Sequence, residues 1–335
     1  MRIALDAMGG DHAPAPIIAG ALQAVEADSS LNVVLVGDQA QIEPEIKNNP
    51  DPSRISIFHC TQAIGMEESP VDGLRKKPDN SISRSWQMLG LGKVDGIVSA
   101  GNTGAMVAGG ILSKRFLKNV RRPGIATVMP TKRGLCVMID VGANAQPKPE
   151  HLYQYGVMGS IFAKRILQKD NPKVGLINIG SEEAKGTSLA KETLALFSNS
   201  PLQSSFIGNL EGRDIHQGTA DVVVCDGFVG NVVLKACEGL YQFLMEMAYQ
   251  EIMSCLKQEK DLAKQALRHL ASKYDYSEFG GAPLLGIDGV CIICHGSSGD
   301  RAIKNALLLA AKYAKLKLND MIVSELEQTP SLAIS

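Results

Sequence analysis

Ile3-Ala4-Leu5-Asp6-Ala7-Met8-Gly9-Gly10-Asp11-His12 sets a pattern that the chain repeats: a short apolar run that ends on glycine, with a carboxylate, amide or hydroxyl beside it. The other exits are Ser99-Ala-Gly101-Asn102-Thr103-Gly104, Asp140-Val-Gly142-Ala-Asn144 and Asn178-Ile-Gly180-Ser181. Ile207-Gly208-Asn209, Asp226-Gly227-Phe-Val-Gly230-Asn231 and His295-Gly296-Ser297-Ser298 complete the set. Most precede a segment with helical periodicity. Ligands of open parallel sheets bind where strands leave at their carboxyl ends, beside helix N-termini. The exits therefore predict backbone N–H groups converging on something anionic.

Outward from these exits, strand-like runs cover 3–5, 33–36, 55–58, 96–99, 174–178, 222–225 and 290–294. Helical periodicity covers 17–25, 104–117, 152–167 and 189–197. This alternation predicts one α/β domain over 1–335, a mostly parallel sheet covered by helices on both faces. Runs 125–129 and 135–139 read as a β-hairpin added to that sheet. From 232 to 256 apolar residues such as Leu240, Phe243, Leu244, Met247 and Ile252 occupy nearly every side of a long helix. Such a helix is expected to be buried, in the core or at a subunit interface. Lys235, Glu238 and Glu246 argue against a membrane span. With a second helix over 262–274 it forms an excursion, 232–275, read as making a homodimer.

The 335 residues exceed the usual single-domain size and can bury a large core. A formal net charge of −1 provides no global field for nucleic acid or an anionic membrane. The carboxylate of Asp6 interrupts the first apolar run, so no secretory leader is expected, and seven cysteines without a framework suit a reducing cytoplasm. Cys291-Ile-Ile-Cys294 has redox or zinc spacing, but in a strand i and i+3 face opposite ways, so both read as core. No metal is expected.

Familiar motifs are missing. No G-x-G-x-x-G follows a strand, which removes the dinucleotide fingerprint. Gly180-Ser-Glu-Glu-Ala-Lys185-Gly186-Thr187 resembles a phosphate loop, yet its two carboxylates would repel a triphosphate. Lys185 either neutralises a small oxyanion or is a solvated lysine beside helix-N-terminal acids. Asn231 either caps the following helix or donates its amide to a ligand. His12 and His295 are each a candidate base or a local hydrogen bonder.

Taken together, these stretches resemble the bacterial phosphate acyltransferases of phospholipid synthesis. Ala4 to Pro14, Ser99 to Ala105, Asp140 to Asn144, Lys148 to Leu152, Asn178 to Gly186, Phe206 to Asp214, Ala220 to Asn231, Tyr276 to Gly281 and His295 to Ser298 carry the likeness in order. The resemblance implies a homodimeric three-layer α/β/α sandwich like those of isopropylmalate dehydrogenases and phosphotransacetylases. It implies transfer of a fatty acyl group from acyl carrier protein to inorganic phosphate, with no cofactor. The acyl phosphate would pass to a membrane acyltransferase that acylates glycerol 3-phosphate. It implies catalytic roles for Lys185 and Asn231. The phosphate and substrate cradle is expected from Asp6, Gly9, Gly10, Asp11, His12, Gly101, Asn102, Thr103, Gly104, Asn144, Gly180, Ser181, Gly227, Gly230, Ser297 and Ser298.

An acidic carrier protein needs basic docking sites. Arg75-Lys76-Lys77, Arg121-Arg122 and Lys132-Arg133 are the dense clusters, each equally readable as solvated charge. Family members are thought to touch the membrane through the tip of the helical excursion. Here the tip at 254–261 is mostly charged, which suits a peripheral, partner-mediated association at the inner face of the membrane. Phosphate is already anionic and a thiolate leaves readily, so direct transfer needs an oxyanion cradle more than a base. Three rivals stand: an acyl-coenzyme A phosphotransacetylase, a metal- and nicotinamide-dependent dehydrogenase of the same fold, and a non-enzymatic scaffold at the membrane surface.

Overall fold

The computed structural model describes residues 1–47, 51–274 and 279–328. Residues 275–278, which include the end of the expected excursion and the start of the quoted Tyr276 stretch, lie outside the described residues, as do 48–50 and 329–335. The strands are β1 (Arg2–Asp6), β2 (Asn32–Gly37), β3 (Ile55–His59), β4 (Gly96–Ser99), β5 (Gly124–Thr131), β6 (Gly134–Ile139), β7 (Val174–Ile177), β8 (Phe206–Leu210), β9 (Val222–Val224), β10 (Ala282–Leu285) and β11 (Val290–Ile293). They form one sheet ordered β3-β2-β1-β4-β11-β10-β5-β6-β9-β7-β8. The central strands are buried on both faces, which is why they read as unbroken apolar runs.

Strand direction is the decisive feature. β3, β2, β1, β4 and β11 are parallel to one another. β10 runs against β11 and β5, and β6 runs against β5. β9, β7 and β8 then follow β6. Exits of β1, β4 and β11 therefore open on one edge of the sheet, here the first edge. Those of β6, β9 and β7 open on the opposite, second edge. Register keeps them apart, because Ile139 pairs with Ala126 and Ile125 with Leu284, so the two halves overlap in height.

The helices are α1 (Ala15–Ala27), α2 (Gln39–Ile46), α3 (Pro70–Lys76), α4 (Ser81–Gly90), α5 (Thr103–Ser113), α6 (Pro149–Arg165), α7 (Ser188–Ser198), α8 (Gly212–Gln217), α9 (Gly227–Cys255), α10 (Lys260–Tyr274), α11 (Asp300–Lys315) and α12 (Leu318–Gln328). One core layer joins α1, α6, α11 and α12 to the sheet through Ile17, Tyr153, Phe162, Ile303 and Ile322. The other gathers Ile82, Trp86, Met106 and Ile215 of α4, α5 and α8 on the opposite face, with Val233 and Leu234 of α9 packed against it. This is the three-layer α/β/α architecture expected. Cys291 belongs to one layer and Cys294 to the other, as strand alternation requires.

Several local expectations need correction. α5 ends at Ser113, well short of 117, because Lys114 turns left-handed and Phe116 bridges to Ile287. Gly208 and Asn209 lie inside β8, so that stretch is no exit. α9 is apolar all round yet buries only Gly227 and Gly230, while Leu240, Phe243, Leu244 and Met247 are more than half exposed. Among the described residues no helix is long and apolar enough to cross a membrane.

Candidate functional site

At the first edge three neighbouring exits lock together. Ser99 Oγ donates to the buried Asp6 carboxylate at 2.7 Å, and the Met8 N–H donates to the same group at 3.2 Å. Burial pushes the Asp6 carboxyl above the usual carboxylate range, against hydrogen bonds from Ser81, Ser99 and the backbone. A Cβ at Gly9 would stand 2.6 Å from the Gly101 nitrogen, so only glycine lets β1's exit touch β4's. The Asp11 N–H donates to the Gly296 carbonyl at 2.8 Å, tying β1's exit to β11's. α1, α5 and α11 start from these exits, so the positive ends of three helices open on one rim.

Asp6, Gly9, Gly10, Asp11, His12, Gly101, Asn102, Thr103, Gly104, Ser297 and Ser298 are all brought to this edge. His12 and Thr103 are exposed there, whereas Ser298 is buried. Asn102 is committed to structure. Its Oδ1 accepts from the Ala105 N–H and caps α5, and its amide donates to the carbonyls of Gly65, Met66 and Glu68 at 3.0–3.1 Å. His295 Nδ1 lies 2.8 Å from Ser297 Oγ, and its Nε2 lies 3.5 Å from Lys235 Nζ on α9.

The second edge holds Asn144, Gly227, Gly230 and Asn231, with Gly180, Ser181 and Lys185 one strand further along. The N–H groups of Ile125, Gly142, Ala143 and Asn144 converge within 2.7–3.1 Å, but on the chain's own Asp140 carboxylate. Burial raises the Asp140 carboxyl while those donors oppose the rise. Asn144 gives its amide to the Pro123 carbonyl and the Tyr155 hydroxyl, at 2.6 and 2.7 Å. A Cβ on Gly227 would meet the Asp140 carboxylate at 2.7 Å, which explains that glycine. Asp226 caps α9 through the Phe228 and Val229 N–H groups, so Asn231, a turn inside the helix, is not the cap. Lys185 pairs with Glu182 at 3.1 Å, with half of its side chain exposed. The pairing and a backbone N–H, the latter foremost, lower the Glu182 carboxyl. Asn178 clasps this loop by donating to the Lys185 carbonyl at 3.1 Å.

One cradle was expected. The reversed half-sheet divides its members between two edges, and α9 spans the gap. It starts at Asp226 on the second edge and reaches His295 on the first by Lys235.

Beyond that contact α9, α10 and the outer end of β5 enclose a groove of about 900 Å³. Val128, Met129, Leu234, Leu240 and Leu244 give it apolar walls; His295, Ser297 and Arg301 of the first edge also line it. His216, Arg268, Phe279 and Arg301 were invisible as site residues in the sequence, because no motif surrounds them. Of the basic clusters, Lys132 and Arg133 form the β5–β6 turn, with Lys132 lining the groove. Arg121 and Arg122 are exposed before β5. Arg75 pairs with Asp72 at 3.0 Å, Lys77 binds Glu68 and the Ala63 carbonyl, and Lys76 is exposed.

Comparison with known proteins adds an independent finding. A family model described as "Fatty acid synthesis protein" matches residues 1–321. A protein of Desulforamulus reducens named "Phosphate acyltransferase" is 44% identical over 331 residues, covering 98% of each chain. Its namesake from Heliobacterium modesticaldum is 48% identical over 314 residues, covering 92% of this chain and 93% of its own. Among solved structures, a phosphotransacetylase from Streptococcus pyogenes superposes with a TM-score of 0.64 at 15% identity, covering 94% of both chains. A branched-chain phosphotransacylase from Enterococcus faecalis gives 0.55 at 16% identity, covering 93% of this chain and 98% of its own. At such identities the structural likeness speaks for the fold alone.

Proposed function

Because the chain belongs to the fatty acid synthesis protein family, whose members compared above are phosphate acyltransferases, we propose that it transfers a fatty acyl group from acyl carrier protein to inorganic phosphate. One observation carries the reading: the rim where three helix N-termini meet and the apolar groove share His295 and Ser297. An anion on the rim and a fatty chain in the groove would put phosphate oxygen beside the thioester carbon.

A phosphate oxygen attacks the carbonyl, the tetrahedral oxyanion is held by rim N–H groups, and the carrier thiolate leaves. Acyl phosphate and free thiol are the products. Losing one well-placed oxyanion donor typically costs ~10²–10³ in rate.

Lys185 and Asn231 remain the proposed catalytic pair. Standing on the second edge, they would act at a first-edge phosphate only from the second copy of a homodimer. The exposed apolar side chains of α9 support such a dimer. Arg75, Lys76, Arg121, Arg122, Lys132 and Arg133 offer docking charge for an acidic carrier. The acyl phosphate would be consumed by a membrane acyltransferase acting on glycerol 3-phosphate, which suits a cytoplasmic enzyme working peripherally at the inner face.

Thiol release from a long-chain acyl carrier protein, measured with and without phosphate, tests the reading. Release should require phosphate. Equal or faster turnover of the matched acyl-coenzyme A would favour the phosphotransacetylase alternative, to which the fold is also suited.

A further inference from the structure

We propose that His295, which lines the groove where it meets the first edge, and Lys235, whose ammonium stands beside that imidazole, bind the phosphoryl group, as orthophosphate before transfer and as acyl phosphate after it. This rests on the phosphate acyltransferase reading and adds an ammonium to the Arg301 guanidinium already at the first edge, whereas Lys185 stands on the other edge.

The contact joins two distant parts of the sequence. Lys235 is carried by α9, and His295 follows β11; Nζ and Nε2 lie 3.5 Å apart. An ammonium has donors and no lone pair. The Ser297 N–H donates to Nδ1 at 3.3 Å, so the ring proton is assigned to Nε2 and stands beside the ammonium as a second donor. Ammonium, imidazole and the Ser297 hydroxyl, 2.8 Å from Nδ1, thus follow one another from α9 toward the start of α11. Glu238 steadies the ammonium at 2.7 Å, while about half of the Lys235 side chain stays exposed.

A bland alternative is an ordinary i,i+3 surface pair, worth at most about 1 kcal/mol. That alternative accounts for Glu238 but leaves the histidine contact unexplained. The chemistry also fits. The groove joins apolar walls from Val128, Leu240 and Leu244 to the His295 imidazole and the Ser297 hydroxyl, with the Lys235 ammonium beside that imidazole and its partner Glu238 also in the lining. An acyl phosphate has the same polarity, an alkyl chain ending in a dianion.

The test varies inorganic phosphate at saturating acyl carrier protein for the wild type, Lys235→Met and Lys235→Arg. Lys235→Met should raise the KM for phosphate about 10–100-fold, as expected for losing a hydrogen bond to a charged group. Its KM for the acyl donor should change less than about two-fold, and its melting midpoint should be that of the wild type. Lys235→Arg should recover most of the phosphate affinity, because the charge persists. A phosphate KM for Lys235→Met within about two-fold of wild type overturns the proposal while leaving the acyltransferase reading intact. Thiol release by the wild type that ignores phosphate overturns both.

Discussion

Ser99 Oγ donates to the Asp6 carboxylate across 2.7 Å, fastening the exits of β1 and β4 beneath the glycine floor of the first edge. Burial is the largest influence on Asp6 and lifts its folded-state pKa above that of the unfolded chain. Between those two values the folded protein keeps a proton that the unfolded chain has released. The associated stability is complete at acid pH and is lost as pH rises through the folded value. Asp6→Asn removes this dependence. Its melting midpoint, relative to wild type, should climb as pH is raised from below 4 toward neutrality; a flat or falling difference would contradict the burial argument.

α9 starts against the Asp140 loop with no room to spare. A Cβ at Gly230 would stand 1.9 Å from the Asp140 carbonyl oxygen, whereas at Gly239, two and a half turns on, nothing lies within 4 Å. Gly230→Ala should cost about 1–3 kcal/mol or more, from overpacking against backbone. Gly239→Ala should add about 0.5–1 kcal/mol by the usual helix preference. Chemical denaturation of the pair reads both signs at once.

If the groove holds the acyl chain, its depth is set by α9. Leu244→Trp fills space away from His295 and should lower kcat/KM for a long-chain donor at least about ten-fold, by the cost of one excluded chain segment after another. A short-chain donor should be nearly unaffected. Equal losses for both would move the chain elsewhere.

Lys185→Ala should lose at least about 10²-fold in rate while staying folded. If the dimer shares its sites, mixing this variant with Lys235→Met and allowing subunits to exchange should restore part of the activity, because one site of the hybrid keeps both lysines. Near-wild-type turnover by Lys185→Ala at saturating phosphate would remove it from the mechanism.

How much of this was legible in the sequence follows from what periodicity encodes. β1, β4, β9 and β11 are buried on both faces, so their apolar runs stood out. β8 carries Gly208 and Asn209, and β10 is four residues containing Pro283, so neither reads as a strand. Strand polarity leaves no mark on composition. The β5–β6 hairpin was read from its turn, but that β9, β7 and β8 follow the reversed β6 was not, and six exits that looked like one rim became two. Asn102 and Asn144 looked like ligand amides because caps and loop clasps use the same residue as binding sites do. The all-round apolarity of α9 was read correctly, and the choice between core and subunit interface stayed open, because residue type cannot tell a core from a surface that another chain covers.

Phosphorus NMR of a reaction containing long-chain acyl carrier protein, orthophosphate and catalytic amounts of the enzyme watches the proposed bond form. An acyl phosphate resonance should grow at the rate at which carrier thiol appears, and Ser297→Asp, which sets a carboxylate at the junction of rim and groove, should abolish it. Thiol appearing without that resonance, or growth undiminished in Ser297→Asp, would contradict the account.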